Sequence, residues 1–422
     1  MTLRKLIRPA FLLFLSFSVF TVEAQDNYDL MSHRLDSLVQ LGIDSMAFPG
    51  AQILVRHRDS IIYHKTWGHH TYDNNRAVEK NDIYDLASVT KVSSGLPILM
   101  KLYGEGLLNL DAPLKDYYKC FKRSNKKNLT LRQVLAHQAR LRPYIVFWQE
   151  AKKDNGDYKR RTFKDSYSKK YPIRITDQLY MHKRYHKKMH KAIKDSKLRK
   201  KKEYVYSGLA FLLMPDMIQD ATGRQFEAYL KEEIFEPIGA NRLTYNPTKQ
   251  FGIDEIVPTE FDTLWRHQLV HGTVHDEAAA MLDGISCNAG LFGSAESLSR
   301  LFQLYLNKGT WADRQIISEH AVEVFTSYQY DINRRGLGFD KPLREYDANL
   351  AYVAESSSPS SFGHSGFTGT MVWADPEHEL VYVFLSNRVY PYRSHRQLYK
   401  MSLRPQLHQT VYDYVTGLTH SL

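Results

Sequence analysis

The chain has 422 residues, 43% of them hydrophobic, with 57 Lys and Arg against 46 Asp and Glu for a formal net charge of +11. That length and apolar content exclude a disordered or fibrous chain and leave room for one large domain or two, with a sizeable core. Cys120 and Cys287 do not make a disulfide framework, and two buried free thiols are expected.

At the start, Arg4, Lys5 and Arg8 precede the apolar run Ala10 to Val22, and Val22-Glu23-Ala24 has the small-x-small character of a signal-peptidase site. A signal peptide over residues 1–24 is therefore expected, with cleavage near Ala24 and a periplasmic or secreted product. The run is too short for a spanning helix. An amphipathic helix follows from Leu30 to Leu41. Ala51 to His57 and Ile61 to Trp67 are β-forming runs around Arg58-Asp59, which reads as a hairpin.

A helix begins near Ser88 and ends near Gly104-Glu105-Gly106, with Leu96, Ile98, Leu99 and Leu102 as its apolar face. Leu110-Asp111-Ala112-Pro113 is a turn, and Leu129 to His137 a short helix capped by Asn128 or Thr130. To about Ser286 the signals are helical. Ala151 to Glu203 holds roughly twenty Lys and Arg against about six acids. Leu209 to Thr222 ends at Gly223 and should be kinked by Pro215, and Phe226 to Phe235 is stopped by Pro237.

Ser294 then caps a helix to Asn307, Thr370 to Ala374 and Leu380 to Leu385 are strands joined through Asp375-Pro376-Glu377, and a last helical stretch is interrupted by Pro405. Strands at both ends with helices between imply an α+β fold. Its antiparallel β-sheet, flanked by helices, comes from both termini (25–115 and 287–422), with an inserted all-helical domain (116–286). A cleft between the two parts is the expected ligand site.

The chemistry centres on Ser88-Val89-Thr90-Lys91. A three-residue spacing at a helix start puts the Lys91 ammonium beside the Ser88 hydroxyl, and the free N–H groups there favour an oxyanion. Ser124 with Lys127 and Ser166 with Lys169 repeat the spacing, but in polar, lysine-rich stretches with no buried helix behind them. Two later segments single out Ser88. In Tyr204-Val205-Tyr206-Ser207-Gly208, a tyrosine hydroxyl can take the serine proton if a lysine favours the phenolate. In Gly363-His364-Ser365-Gly366-Phe367-Thr368-Gly369-Thr370, glycines let a bound carbonyl approach the backbone, with the Phe367 N–H as a second oxyanion donor.

These three segments resemble the Ser-x-x-Lys, Tyr-x-Asn and Lys-Thr-Gly (or His-Ser-Gly) motifs of penicillin-binding-protein-like serine hydrolases, in the class C β-lactamase branch. The likeness extends through Gly106 to Pro113, the Thr222-Gly223 helix end and Gly363 to Asn387. His271-Gly272, Val274-His275-Asp276 and Arg334-Arg335-Gly336-Leu337-Gly338-Phe339-Asp340 are similar to envelope serine hydrolases sometimes fused to a β-N-acetylglucosaminidase. The resemblance implies Ser88 as acylated nucleophile, Lys91 as its proton partner and Tyr206 as second base or acid. It implies His364 as a proton shuttle or carboxylate holder, an oxyanion hole of the Ser88 and Phe367 N–H groups, and Ser365, Gly366 and Gly208 at the substrate.

Some positions depart from the family pattern. Gly208 stands where the family has Asn or Asp, a side chain that bonds the lysine and the substrate amide. Esters are therefore expected to be better substrates than amides, and Gly208→Asn to favour amides. Arg140 replaces a glycine in His137-Gln138-Ala139-Arg140-Leu141, and Cys287-Asn288 replace Gly-His.

The expected function is an exported serine hydrolase acting on peptidoglycan-derived peptides, D-amino-acid amides or esters. The alternative is a binding or sensor protein that keeps the fold without turnover. No cofactor and no metal are expected, and no nucleic-acid partner. The 151–203 segment reads as a solvated face, or as a contact for an anionic envelope polymer. His182, His186 and His190 read as a partly protonated surface stripe, Tyr72-Asp73-Asn74 as a turn, and His275-Asp276 as cleft-lining or loop-pinning residues.

Overall fold

The computed structural model describes residues 9–417, with side chains from residue 26 onward. The leader expected over residues 1–24 carries its signals outside those described side chains. Helix α1 (Pro9–Asp44) leads into strands β1 (Gly50–His57) and β2 (Ser60–Gly68). Arg58 and Asp59 between them both take positive φ, at 49° and 64°, the turn whose twist matches a two-residue hairpin. Far along the chain come β3 (Phe362–Ser365), β4 (Met371–Asp375) and β5 (Leu380–Ser386). The five strands form one antiparallel sheet in the order β3-β4-β5-β1-β2. Both termini thus build the sheet, as the strand pattern implies.

Side chains alternate across this sheet because the strand period is two. In β5, Leu380, Tyr382 and Phe384 join Met31, Leu35 and Val39 of α1 and Leu407 and Val411 of helix α4 (Leu403–Thr416). Val381, Val383 and Leu385 face the other way, toward Leu298, Leu301 and Phe302 of helix α3 (Ala295–Leu306). With both faces covered, all seven residues of β5 are buried. Ser294 caps α3 by accepting from the Ser297 N–H, and Thr130 caps Leu131–Leu135 in a reciprocal box with Gln133.

Residues 116–286 are not helical throughout. The basic segment forms a small antiparallel sheet from Phe163–Lys164, Leu179–Met181 and Ile173–Thr176, and only Tyr185–Asp195 is a helix of length. A second hairpin joins Glu260–Asp262 to Gln268–Val270. Ile173, Ile175, Met181, Met189 and Ile193 point inward to the larger core, so the lysines and arginines coat a real hydrophobic layer. Pro215 does not kink a helix. It lies in the first turn of Met214–Thr222, where its missing N–H costs nothing, and Pro405 is likewise in the first turn of α4. Cys120 and Cys287 are free; Cys120 is half-buried, and Cys287 is buried with its thiol raised by burial.

Candidate active site

Ser88 begins a continuous helical run. A tight turn at Ala87–Val89 passes through a widened turn at Lys91–Gly95 into α2 (Leu96–Gly104). Across the junction of these two turns the Lys91 Nζ comes to 3.0 Å from the Ser88 Oγ. Lys91 is buried, and its Nζ also donates to the Asn288 main-chain O at 2.9 Å.

The turn is held from several distant segments. Ala87 adopts φ 45°, a strained value for a residue with a side chain, and the Asp85 carboxylate fixes it by accepting the Ala87 N–H at 2.8 Å. The other Asp85 oxygen accepts the His275 N–H at 2.7 Å. Thr368 and Thr370 donate hydroxyls to the Asp85 and Leu86 carbonyls at 2.7 and 3.1 Å. Gly366 must lack a side chain, since a Cβ would lie 2.1 Å from the Thr370 Oγ1 and 2.6 Å from the Leu86 O. Among the described residues the Phe367 N–H donates to no backbone carbonyl, which leaves it placed as an oxyanion donor beside the Ser88 N–H.

A cleft of about 530 Å³ opens on Ser88, Lys91, Tyr206, Gly208, Asn288 and Phe367, with an apolar wall that includes Ile145, Phe147, Trp148 and Leu264. A second cavity, about 500 Å³, shares Ser88, Tyr206 and Phe367 and runs past His364, Ser365 and Gly366 to Arg334, Arg335 and Arg404. The nucleophile candidate therefore sits where an apolar and a cationic cavity meet.

Tyr206 lies with its ring centroid 5.1 Å from Lys91 Nζ and 4.5 Å from the His137 ring. Its hydroxyl is buried and has no hydrogen-bond partner, and the same is true of His137 Nε2. His137 Nδ1 accepts the Ser207 N–H at 3.2 Å, and burial, with Arg335, Lys91 and His364 nearby, holds that imidazole neutral.

His364, expected as a proton shuttle or carboxylate holder, lines the cationic cavity beside Ser88 and Tyr206. Its Nδ1 bonds the Ser365 carbonyl at 2.7 Å and its Nε2 faces Arg335 Nη1 at 3.4 Å. Burial first, then the charges of Arg335 and Lys91, push its pKa down to about 3. At neutral pH the ring is therefore uncharged, with its one N–H on Nδ1 committed to the Ser365 carbonyl. It stands between Arg335 and Tyr206.

Arg335, quoted above only as part of a motif, is the cation of this wall. It is buried, donates from Nε and Nη2 to the Tyr204 hydroxyl oxygen at 3.1 and 3.0 Å, and lies 5.2 Å from the Tyr206 ring centroid. Asp340 pairs with it at 3.4 Å and with Arg334 at 2.9 Å. Burial alone would raise the Asp340 pKa, but the two guanidiniums outweigh it and hold the carboxylate ionised. The paired arginines and the aspartate six residues on were the available signal.

A family model described as Beta-lactamase matches residues 35–401. The chain belongs to the β-lactamase family. Its nearest chemistry is that of the serine hydrolases of the β-lactamase and penicillin-binding-protein kind. An Escherichia coli K12 protein named "Putative D-alanyl-D-alanine carboxypeptidase" is 26% identical over 386 residues, covering 84% of this chain and 82% of that one. Among solved structures, a penicillin-binding protein homologue from Caulobacter crescentus superposes with a TM-score of 0.65 at 16% identity, over 92% of this chain and 98% of that one. The octameric penicillin-binding protein homologue from Pyrococcus abyssi gives 0.64 at 19%, over 92% and 77%.

Against that family frame, Gly208 takes on a different meaning. A Cβ there would lie 2.0 Å from the Asn288 Oδ1, so the space beside Gly208 is filled by the Asn288 carboxamide. The site is therefore not short of an amide group, and a side chain at 208 would have to displace the Asn288 carboxamide. Arg140 takes φ 56°, the region its replaced glycine would enter freely, and does not line either cavity. Cys287 packs against Gly95 of the nucleophile run, where a Cβ would meet its Sγ at 2.5 Å.

The remaining candidates fall away from the cleft. Ser124 Oγ donates to the Lys194 carbonyl at 2.9 Å, and Ser166 is exposed. Neither Lys127 nor Lys169, three residues on, is buried, and the buried Lys126 beside Ser124 is spent on the Lys194 and Ser196 carbonyls. His182 precedes the basic helix, and burial depresses the pKa of His182, His186 and His190 alike, so they are not a protonated surface stripe. Among the described residues no cluster of metal-ligating side chains forms. His275 pins its loop through Glu260 at 2.5 Å, whereas Asp276 lines the cleft. Tyr72-Asp73-Asn74 is a turn, with Asn74 at φ 59°.

Proposed function

We propose that this protein forms an acyl-enzyme on Ser88 and hydrolyses peptidoglycan-derived peptides, D-amino-acid amides or esters. The observation that carries this reading is the 3.0 Å contact between the Lys91 Nζ and Ser88 Oγ at the meeting point of two cavities. In the attack, Ser88 Oγ bonds to the substrate carbonyl carbon while its proton passes to the Lys91–Tyr206 pair, which acts as the general base. The carbonyl oxygen takes up the electron pair and is held by the Ser88 and Phe367 N–H groups. Collapse expels the leaving alcohol or amine with that proton, and water then releases the acid by the same steps in reverse. An unpartnered Tyr206 hydroxyl suits this exchange, because a buried hydroxyl without a bond costs about 1–3 kcal/mol that a reacting group relieves.

The test is to incubate the protein with a fluorescent penicillin and an activated phosphonate, then locate any adduct by intact mass and peptide mapping. One adduct on the Ser88 peptide is expected. No adduct with either reagent, or an adduct on another serine, would overturn the reading.

Export and an anionic envelope partner belong to the same proposal. The first is supported by the Ala10 to Val22 run, and N-terminal sequencing of the protein from its native envelope should begin after Ala24. The second is supported by outward-facing Lys153, Arg160, Lys169, Lys187 and Lys201. Co-sedimentation with an anionic wall polymer should fall as salt rises, and salt-independent binding would count against it.

A further inference from the structure

Asn288 is a residue of the cleft whose side-chain chemistry the fold uses only in part. It comes from the loop before Leu291–Gly293, yet its side chain lies over Gly208, which follows Tyr206 by two positions on a different segment. Its main chain is already committed to the nucleophile, since its carbonyl accepts from Lys91 Nζ at 2.9 Å. Its side chain has one partner, with Nδ2 donating to the Asp276 Oδ2 at 3.4 Å. Asp276 is in turn fixed as the cap of Glu277–Ala280, accepting the Ala279 N–H at 2.8 Å. With Nδ2 turned to that carboxylate, Oδ1 is left without a hydrogen bond among the described residues, on the wall that also carries Ser88 and Tyr206.

A carboxamide held on one side and open on the other is the complement of a secondary amide, which offers an N–H and a carbonyl in the same plane. We infer that Asn288 binds the amide group of an N-acylated, peptide-like substrate beside Ser88, that Asp276 positions it, and that Gly208 is glycine to leave room for it. This rests on the acyl-enzyme reading above and names the substrate class within it. It also reverses the preference expected from Gly208 alone: amides are recognised, by a side chain supplied from another loop. The spatial exchange makes a specific claim about two positions. Asparagine at 288 requires glycine at 208, and asparagine at 208 requires a small residue at 288.

The experiment has two arms. In the first, kcat/KM is measured for a nitrophenyl ester and for a D-alanyl nitroanilide with wild type, Asn288→Ala, Asn288→Asp, Gly208→Asn and the exchange Gly208→Asn with Asn288→Gly. Loss of a hydrogen bond to a polar substrate group predicts a roughly ten- to a hundredfold fall in the amide-to-ester ratio for Asn288→Ala. Asn288→Asp keeps the volume but faces Asp276 with a like charge, and should lower the ratio too. Gly208→Asn alone should lose both activities by crowding Asn288, and the exchange should recover the ratio to within about threefold of wild type. An unchanged ratio in Asn288→Ala, or an exchange no better than Gly208→Asn, overturns the inference.

In the second arm, N-acetyl-D-alanyl-D-alanine binding is measured by calorimetry in Ser88→Ala with and without Asn288→Ala. Weakening by roughly tenfold or more supports the assignment. Equal affinity, or no binding to Ser88→Ala, counts against it. This arm needs no chemistry at Ser88, so failure of the acyl-enzyme reading and failure of the Asn288 assignment give different results.

Discussion

The two cavities that meet at Ser88 are built from opposite materials. One is walled by Ile145, Phe147, Trp148 and Leu264, with Trp148 stacked on Trp265 at 5.9 Å. The other is walled by Arg334, Arg335 and Arg404, each tied down: Arg334 and Arg335 by Asp340, Arg404 by the Gly366 and Thr370 carbonyls at 2.9 and 3.1 Å. The difference teaches how one nucleophile can sort the two ends of a substrate. Apolar surface gains about 25 cal/mol per Å² on leaving water anywhere along the first wall, without regard to direction. The second wall instead offers charge at fixed points, and so selects orientation.

The largest effect that would break this picture is at the junction. Ser88→Ala should abolish adduct formation and lower ester turnover by at least about a thousandfold, whereas Ser124→Ala and Ser166→Ala should leave both intact. Intact mass and an ester assay decide this. Lys91→Met should lower kcat by roughly a hundred- to ten-thousandfold while the fold persists, because methionine fills the buried volume and removes only the amine. An activity near wild type would move the base elsewhere.

Acid should separate the walls next. His364 in the cationic wall, with His64 and His408 elsewhere, is buried neutral at pKa values of about 3, 4 and 3. Desolvation is the leading cause in each, so the unfolded chain binds more protons than the folded one below about pH 6.5. Stability is complete above that value and falls as pH drops toward the folded values. Tm should decrease by roughly 5–10 °C between pH 7 and 4.5. A flat Tm over that range would mean that these rings are hydrated.

Arg334 is the cation of its wall with the most exposed side chain, and Arg334→Gln should raise KM about tenfold for a substrate with a free carboxylate and much less for a neutral ester. The smallest effect belongs to the apolar rim. Leu264 is 54% exposed, and Leu264→Ala should raise KM only about two- to threefold for an aromatic acyl group. Equal responses of anionic and neutral substrates to both variants would erase the distinction between the walls.

Local physics made much of this molecule legible in sequence. The Ser88 turn, the Arg58-Asp59 hairpin, the Ser294 cap and the terminal strands all depend on neighbours within a few residues, and each is found where its pattern indicates. The small sheet in the basic segment was hidden because its strands are two to four residues long and its inward Ile173 and Ile175 are separated by Arg174. Pro215 misled because a proline reads the same inside a helix or in its first turn. His364 and the Gly208–Asn288 pairing lay beyond local reach altogether. The first depends on the charge of Arg335, and the second on two loops that meet only in the folded chain.

The sheet made from both termini has a consequence for how the protein comes into being. Ala51 of β1 pairs with Ser386 of β5, so the central strand pair cannot close until almost the whole chain has been synthesised. Until then β1 and β2 are a lone hairpin, which is marginal in water. Such long-range pairing delays commitment to the native state and lengthens the exposure of strand edges to other chains. The architecture thus places the closing of the central strand pair late in the life of the nascent polypeptide.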